Sequence, residues 1–321
     1  MKRWQNKVAE SRSTLPVVTM YGAGVWLLAG LVTQHWWIQF ICFVLSTFIM
    51  VELNNSNALI RIYSRTVSSA FILLSCAACF LFASLPGAIF QLCIISSLYT
   101  LFRCYQDKTA TGWTFYTFLL LGLASLAQAE ALWLIPAYWL LMATTIYCFK
   151  GRTFTASLLG LLLPYAAFAT GILCLNEGDF TPLGEPLGLT EGGLTLRLLT
   201  EGDPRLLLPD YASVSVPLIL TSVLVAVLSL TGTIHYIRTS SRDNIRIRQL
   251  FYSLILLDGL ATVLLILAPR HYDAMLRLMI ITCSPLIGHF LALTSTRITN
   301  AAFYVITVTT LALTALNLWM L

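Results

Sequence analysis

The chain has 321 residues, of which 58% are hydrophobic and only 10% are charged, and its mean hydropathy is +0.82. A soluble domain carries about a quarter charged residues, so this composition excludes a soluble protein and favours side chains that face lipid or other helices. The net charge of +5 does not indicate nucleic-acid binding, because the basic residues lie in short connections between apolar runs and not on a soluble domain.

Apolar runs long enough to cross a bilayer predict an all-α fold, a polytopic transmembrane helical bundle that forms a single domain. We predict about eleven spans, with a range of about nine to eleven. This count divides the run 113–149 near residues 127–131, because a single helix over the whole run would place basic residues on both sides of the membrane. The predicted spans are 15–33, 36–53, 67–85, 87–105, 113–128, 131–149, 154–175, 214–237, 250–268, 276–295 and 299–321.

The distribution of basic residues predicts the orientation of the bundle. With the N-terminus in the cytoplasm, fifteen of the 19 Lys and Arg residues lie on the cytoplasmic side, as the positive-inside rule requires, and the C-terminus lies outside. Those fifteen are Lys2, Arg3, Lys7, Arg12, Arg61, Arg65, Arg103, Lys108, Lys150, Arg152, Arg238, Arg242, Arg246, Arg248 and Arg297.

A polar connection on the inner side, Glu52–Arg65, carries three asparagines, one glutamate and two arginines. Arg61 and Arg65 are one helical turn apart, a spacing that lets two guanidinium groups bind one phosphate of a substrate headgroup. The alternative is that both arginines only orient the chain, with Asn or Ser capping the next helix.

A second polar cluster is predicted on the outer side, where two turns between spans lie on the same face. Glu130 and Asp273 are the candidate catalytic residues, since carboxylates at a membrane surface can act as acid and base. The candidate substrate-binding residues there are Arg270, His271 and Arg277, with Gln128 beside Glu130. The alternative is a set of solvated loop charges.

Residues 176–213 form the long outer loop of the prediction. The segment is acidic and contains a short echo, Leu189-Thr-Glu-Gly192 and Leu199-Thr-Glu-Gly202, each followed by a leucine-rich stretch with one arginine. This pattern fits two amphipathic helices lying on the membrane surface, and it also fits an ordered polar loop.

Two ionisable residues, Asp258 and His289, fall well inside predicted spans and away from the span ends, where an unpaired charge is costly. Asp258 lies in the middle of the ninth span, and His289 follows Pro285 in the tenth. They form the candidate proton relay of a transporter; the alternative is that each makes a hydrogen bond between helices.

Several common motifs are missing from the sequence: nucleotide-binding glycine loops, H-E-x-x-H and G-x-S-x-G. Cys76 and Cys79 have C-x-x-C spacing, but no second ligand pair accompanies them, so we read them as packing residues. We therefore predict no metal and no cofactor.

Two stretches carry a resemblance to a known family, Glu52–Arg65 and Phe115–Tyr165. The second contains Leu121-Gly-Leu-Ala-Ser-Leu126, Phe149-Lys-Gly-Arg-Thr-Phe154 and Leu159-Gly-Leu-Leu-Leu-Pro-Tyr165. The chain resembles a family of uncharacterised polytopic inner-membrane proteins of Bacteroidota. That resemblance implies a bacterial inner (plasma) membrane, with the acidic loop facing the periplasm, and it assigns no catalytic or binding residue.

The layout is also similar to that of membrane-embedded glycosyltransferases and glycan polymerases that use lipid-linked donors. Those enzymes commonly place a catalytic carboxylate in their first long outer loop. Here the first outer connection is a short one at Gln34–His35, so a carboxylate would have to come from Glu130 or from the 176–213 loop.

Three functions remain open at this point, and so does the question of whether the protein is an enzyme. The first is handling of a lipid-linked or amphipathic cell-envelope substrate, by a transferase, polymerase or flippase that contacts membrane lipids and a lipid-linked glycan. It predicts that Glu130 and either Arg270 or Arg277 line a groove open to lipid. The second is a proton-coupled secondary transporter that uses Asp258 and His289, and the third is a non-catalytic scaffold that binds a membrane protein partner.

Overall fold

A computed structural model describes residues 3–62, 64–176 and 215–320. Every regular element among them is a helix, which confirms the all-α prediction. The acidic loop predicted at 176–213 lies outside the described residues, except for Asn176 at the end of a helix.

Twelve α-helices make up the described part of the chain. They are α1 Trp4–Glu10, α2 Thr14–Leu28, α3 Trp37–Asn57, α4 Thr66–Ala77, α5 Leu85–Arg103, α6 Thr111–Ala127, α7 Leu134–Thr144, α8 Gly151–Asn176, α9 Val216–Thr239, α10 Ile245–Leu267, α11 Tyr272–Leu293 and α12 Arg297–Trp319. Short 3-10 turns occur at Cys79–Leu81, Ala129–Trp133, Ser240–Arg242 and Pro269–His271.

Seven helical segments of the described chain are long and apolar enough to cross a membrane, which supports the prediction of a transmembrane protein. They are Trp37–Asn57, Leu85–Arg103, Gly151–Gly171, Val216–Arg242, Ile245–Leu267, Pro269–Leu293 and Arg297–Trp319. Shorter apolar helices occupy the other four predicted ranges: Thr14–Leu28, Thr66–Ala77, Thr111–Ala127 and Ala129–Thr144. The count of eleven spans stays a prediction.

The short helix α4 runs along α11 in the opposite direction. Near its start, the Thr66 hydroxyl donates to the Gly288 carbonyl at 3.1 Å, and past its end the Leu81 carbonyl accepts from Arg277 at 2.5 Å. Gly288 and Arg277 are about 16 Å apart along α11, at 1.5 Å of rise per residue. Helix α4 and its 3-10 turn therefore connect the two ends of the bundle despite their short length.

Helix α11 lies at the centre of the bundle and packs against α4, α5, α9 and α10. Its most apolar stretch is 83% buried within the protein, whereas that of α12 is only 17% buried. An apolar helix that is enclosed on all sides belongs to the core, and one that exposes aliphatic side chains in a membrane protein faces lipid.

Helices α6 and α8 approach each other closely at Gly160. A Cβ atom there would overlap the Phe115 carbonyl oxygen of α6 and would come within 3.1 Å of the Leu119 backbone nitrogen. Small residues let transmembrane helices approach this closely, so glycine is required at this crossing.

The connections gather at two ends, and contacts across each end identify its members. At the basic end Arg61 pairs with Asp243 and Arg246 donates to Asn57, which joins the α3–α4 and α9–α10 connections. At the opposite end, here called the Asp273 end, the α4–α5, α6–α7 and α10–α11 connections meet around Asp273. This grouping matches the division of the connections that the basic residues predict.

Candidate functional site

The polar cluster predicted on the outer side assembles around Asp273 in the first turn of α11. Arg277, one turn later, donates from Nε to Asp273 Oδ1 at 2.8 Å. The Ser84 hydroxyl and the Gln128 amide both donate to Asp273 Oδ2, at 2.8 and 2.5 Å. Ser84 is the N-cap residue of α5 and Gln128 is the C-cap residue of α6, so three helix ends hold one carboxylate.

The Arg277 side chain is only 5% exposed and is fully engaged. Besides Asp273, its guanidinium donates to Gln91 Oε1 at 2.9 Å and to the Leu81 carbonyl at 2.5 Å. A buried guanidinium is tolerated only when it is paired and hydrogen-bonded in this way. We call Ser84, Gln91, Gln128, Asp273 and Arg277 the Asp273 network.

Gly87 allows the ion pair of this network to pack against α5. A Cβ atom at this position would overlap Asp273 Oδ2 and the Arg277 guanidinium. The Gly87 backbone N–H also donates to the Ser84 hydroxyl at 3.1 Å, which orders that hydroxyl toward the carboxylate. Glycine therefore provides both the space and the capping hydrogen bond.

Beside the network, Glu130 and His271 form a carboxylate–imidazole pair. The Glu130 Oε1 and His271 Nδ1 atoms are 2.6 Å apart, and the Trp133 ring meets the imidazole edge-on at 5.0 Å between centroids. Glu130 belongs to the 3-10 turn between α6 and α7, and His271 belongs to the turn before α11. Since the carboxylate engages Nδ1, Nε2 is the ring nitrogen that could exchange a proton with a bound substrate.

Two spaces adjoin these polar groups. The first is a cavity of about 20 Å³, room for one water-sized group, between the polar side chains of Gln39, Ser75, Gln91 and Arg277 and the rings of Trp26, Phe43 and Phe82. Arg277 therefore lines a small cavity, whereas the sequence predicts a groove open to lipid that is lined by Glu130 and either Arg270 or Arg277. Glu130 is not among the residues that line this cavity.

The second space is an apolar groove of about 140 Å³ between α5, α6 and α8. Its lining consists of Leu85, Pro86, Ile89, Leu123, Leu126, Ala127 and Phe168. Leu85 directly follows Ser84, and Ala127 directly precedes Gln128. Two residues of the groove lining are therefore sequence neighbours of the two residues that donate to Asp273 Oδ2.

The polar connection at the basic end has a different arrangement. Arg61 Nε is 2.6 Å from Asp243 Oδ1, and the Asp243 side chain is fully buried while that of Arg61 is 38% exposed. Asp243 Oδ2 also lies 3.3 Å from His289 Nε2. The structure thus pairs Arg61 with a carboxylate of the chain itself, and it places Arg65 at the start of α4, partly buried.

Asp258 and His289 lie in different surroundings. Asp258 accepts hydrogen bonds from the Ser229 hydroxyl of α9 and from the Thr282 hydroxyl of α11, the latter at 2.8 Å. His289 is two helical turns beyond Thr282, about 10 Å along α11, next to the rings of His235, Tyr236 and Phe251. Within the described chain, no hydrogen bond or ion pair joins the two candidate relay residues.

The structure therefore brings Glu130, His271, Asp273 and Arg277 together at one end. Arg270 is exposed at the same end and forms no ion pair with any described residue.

Sequence reasoning missed Ser84, Gln91 and Asp243. Two of them carried a signal: Ser84 precedes Leu85-Pro86 as a helix N-cap does, and Gln91 is a polar residue inside an apolar run.

No family model, no curated protein and no solved structure matches this chain. Its function must therefore be argued from the arrangement of its own residues.

Proposed function

We propose that the chain is a multi-pass protein of a bacterial inner membrane that binds a lipid-linked or otherwise amphipathic substrate at the Asp273 end. One observation carries the proposal: Ser84 and Gln128, which both donate to Asp273, are each next in the chain to a residue that lines the apolar groove between α5, α6 and α8. An amphiphile needs a polar subsite and an apolar subsite that are adjacent at the level of the membrane surface. Both subsites are present here, and they adjoin each other in the chain at Ser84–Leu85 and at Ala127–Gln128.

The two subsites have different energetic roles. A hydrocarbon chain that moves from lipid into the groove gains little hydrophobic energy, because lipid is already apolar. The groove therefore fixes the position of the substrate, and the headgroup contacts supply the selectivity. Ser84 and Gln128 are sequence neighbours of residues in the groove lining, and Arg270 is exposed at the same end of the bundle. The hydroxyl, amide and guanidinium of these residues suit a headgroup with hydroxyl or phosphate oxygens.

The Glu130–His271 pair suggests a chemical step on that substrate. A carboxylate that orients an imidazole is the usual arrangement of a general base, and it would remove a proton from a hydroxyl or return one to a leaving oxygen. A transferase or polymerase needs this step and a flippase does not. Replacing His271 by Gln therefore distinguishes them: turnover is lost and substrate binding is kept in an enzyme, while a flippase keeps both.

For the orientation, we propose eleven crossings with the basic end in the cytoplasm and the C-terminus in the periplasm. The segregation of basic residues supports the direction, and the contacts of the short helix α4 with both ends of α11 support a crossing by a helix of only 12 residues. The bacterial inner membrane follows from the resemblance to the Bacteroidota family. A reporter fused to Leu321 should be active only in the periplasm, and cytoplasmic activity would reverse the assignment.

The test of the amphiphile site is photolabelling with a polyprenyl phosphate that carries a photoreactive group at its tail. Leu126→Trp fills the groove, and Gln128→Leu removes the side-chain amide that follows the groove residue Ala127. Leu159→Trp is the matched control, since Leu159 is 63% exposed on α8 and does not line the groove. We expect labelling to fall about tenfold in both test variants and to stay unchanged in the control.

Each variant must first elute as the wild-type protein does in size-exclusion chromatography, so that lost labelling reports the site and not the fold. Equal labelling of all four proteins would refute the proposed function.

Proton-coupled transport is a second candidate, favoured by one observation. Asp258 of α10 is buried and accepts hydrogen bonds from the hydroxyls of Ser229 on α9 and Thr282 on α11. Among the described residues, no ion pair with a basic side chain accompanies these hydrogen bonds. Proteoliposomes that contain a pH-sensitive dye should then show substrate-driven proton flux that Asp258→Asn abolishes. Unchanged flux in that variant would rule out coupling through Asp258.

A further inference from the structure

A third space opens at the basic end, far from the Asp273 network. It is a pocket of about 290 Å³ lined by Ser56, Asn57, Arg103, Trp113 and Arg246. These residues come from the end of α3, the end of α5, the start of α6 and the start of α10. Four helix ends therefore place two arginines around one space, although the two are far apart in the sequence.

Arg103 is held in place by aromatic side chains. Its guanidinium carbon lies 4.9 Å from the centroid of the Tyr99 ring and 5.1 Å from that of the Trp113 ring, and Nη2 is 2.5 Å from the Tyr99 hydroxyl. Stacking on rings orders a guanidinium without neutralising it. Arg103 thus keeps its full charge at the pocket wall.

Arg246 is held by a neutral amide and a ring in the same manner. Its Nη2 donates to Asn57 Oδ1 at 3.1 Å, and its guanidinium carbon lies 5.9 Å from the centroid of the Tyr105 ring. Each guanidinium has five N–H donors, so this one hydrogen bond leaves most of the Arg246 donors for a ligand in the pocket.

The acidic residues nearest in sequence form no ion pair with these arginines in the described chain. Asp243, three residues before Arg246, pairs with Arg61 instead. Asp107, four residues after Arg103, accepts from the Thr109 hydroxyl at 2.6 Å and from the Thr109 backbone N–H at 2.8 Å, and these hydrogen bonds lower the pKa of Asp107. Neither Asp107 nor Glu52 forms an ion pair with Arg103 or Arg246 in the part of the chain described. Arg61 and Arg277, by contrast, each bind a carboxylate.

We propose that this pocket binds the phosphate group of an anionic ligand. The two guanidinium groups that line the pocket present forks that match phosphate oxygens, and Ser56 and Trp113 in the same lining carry a hydroxyl and an indole N–H as neutral donors. A volume of about 290 Å³ holds a phosphate ester with its first substituent, not a bare ion alone. Arginines that served only to orient the chain in the membrane would not need to converge on one pocket.

A phosphate at this position has two possible sources, an anionic lipid headgroup or a soluble phosphate ester. Native mass spectrometry with dioleoyl phosphatidylglycerol tests the first source, with dioleoyl phosphatidylcholine as the zwitterionic reference. Titration calorimetry with glycerol 3-phosphate tests the second. Binding of the phosphatidylglycerol alone assigns a lipid headgroup, and binding of glycerol 3-phosphate assigns a soluble ester; both results support the pocket.

The decisive variants are Arg103→Gln, Arg246→Gln and the double variant. A hydrogen bond to a charged group contributes enough that each single change should weaken binding about tenfold or more, and the double change about a hundredfold. Arg242→Gln is the matched control, because Arg242 is exposed at the same end and does not line the pocket. Binding should be unchanged in that control.

A further pair of variants keeps the test valid if a glutamine variant fails to fold. Arg103→Lys and Arg246→Lys keep the charge and remove the planar fork, so they should bind more weakly than wild type and more tightly than the glutamine variants. The proposal is overturned if the double glutamine variant, or both lysine variants, bind phosphatidylglycerol and glycerol 3-phosphate as wild type does. It is equally overturned if the wild-type protein binds neither.

Discussion

The clearest energetic prediction concerns Arg277→Met. Methionine keeps much of the apolar volume of the arginine side chain and removes its charge and all of its donors. Three acceptors lose their partner in this variant: Asp273, Gln91 and the Leu81 carbonyl. Asp273 keeps the hydrogen bonds from Ser84 and Gln128, so its charge is left only partly compensated.

The size of the effect follows from those three contacts. Breaking a buried ion pair by removing one partner costs about 3–5 kcal/mol in soluble proteins. Side-chain hydrogen bonds between helices in membranes average only about 0.6 kcal/mol; taking the same value for all three contacts of Arg277, two to other elements and one within α11, gives a low estimate of about 2 kcal/mol. We therefore expect Arg277→Met to reduce the free energy of unfolding by about 2–5 kcal/mol.

The assay is titration of the protein in mild detergent micelles with sodium dodecyl sulfate, followed by circular dichroism. Arg270→Met is the control, because Arg270 is exposed at the same end and should change the free energy of unfolding by less than about 0.5 kcal/mol. Replacing both partners by apolar residues, Asp273→Leu with Arg277→Met, should cost less than the sum of the two single changes. A change in the free energy of unfolding of less than about 0.5 kcal/mol in Arg277→Met would refute this account of the Asp273 network, because so small a change is typical of an exposed site.

Three further predictions concern the packing of the bundle. Gly160→Ala should lower the unfolding free energy by about 1–3 kcal/mol, because the new Cβ overlaps the Phe115 carbonyl oxygen. Gly171→Ala is the control and should not lower it, because a Cβ at Gly171 meets nothing within 4 Å. Equal melting temperatures for the two variants would contradict the close crossing of α6 and α8. Asn317→Leu removes a 2.6 Å hydrogen bond to the Ala77 carbonyl at the end of α4 and should lower the melting temperature and speed proteolysis near α12. Asp243→Asn should weaken the junction between the α3–α4 and α9–α10 connections by about 1–3 kcal/mol, and a change below 0.5 kcal/mol would show that its pair with Arg61 is only a surface contact.

Hydropathy locates the helices well and their ends less well. Helices occupy all eleven predicted ranges, and the division of the 113–149 run is confirmed by the break at Gln128. The range 67–85 was too long for one helix, because α4 stops at Ala77 and continues as the 3-10 turn Cys79–Leu81. A turn that is buried in the bundle is as apolar as the helix before it, so hydropathy alone cannot mark the boundary.

The membership of the candidate site was more predictable than its pairing. Turns between antiparallel spans alternate between two faces, and this rule alone collects Glu130, His271 and Asp273 at one end. The partner of a given charge is a different matter: Arg61 binds Asp243 from a connection 182 residues away. Local sequence patterns carry no information about a contact at that separation.

The partners of each buried carboxylate distinguish residues that stabilise the fold from residues that are candidates for a functional role. Asp273 has Arg277 and Asp243 has Arg61, so removing either partner disturbs the fold and any loss of activity is ambiguous. Asp258 differs, because its described partners are two neutral hydroxyls. Asparagine at 258 keeps a carbonyl oxygen for one of those hydroxyls, so we expect a stability change of at most about 1–2 kcal/mol.

That difference makes Asp258→Asn the variant that separates the two candidate functions. If the protein moves protons, flux is lost while the purified variant still folds and still labels at the apolar groove. If the protein only binds an amphiphile at the Asp273 end, both the fold and the labelling survive and no flux is found in the wild type either. A variant that folds but no longer labels would instead require coupling between Asp258 and the groove, through α11, the one helix that carries both Asp273 and the Thr282 partner of Asp258.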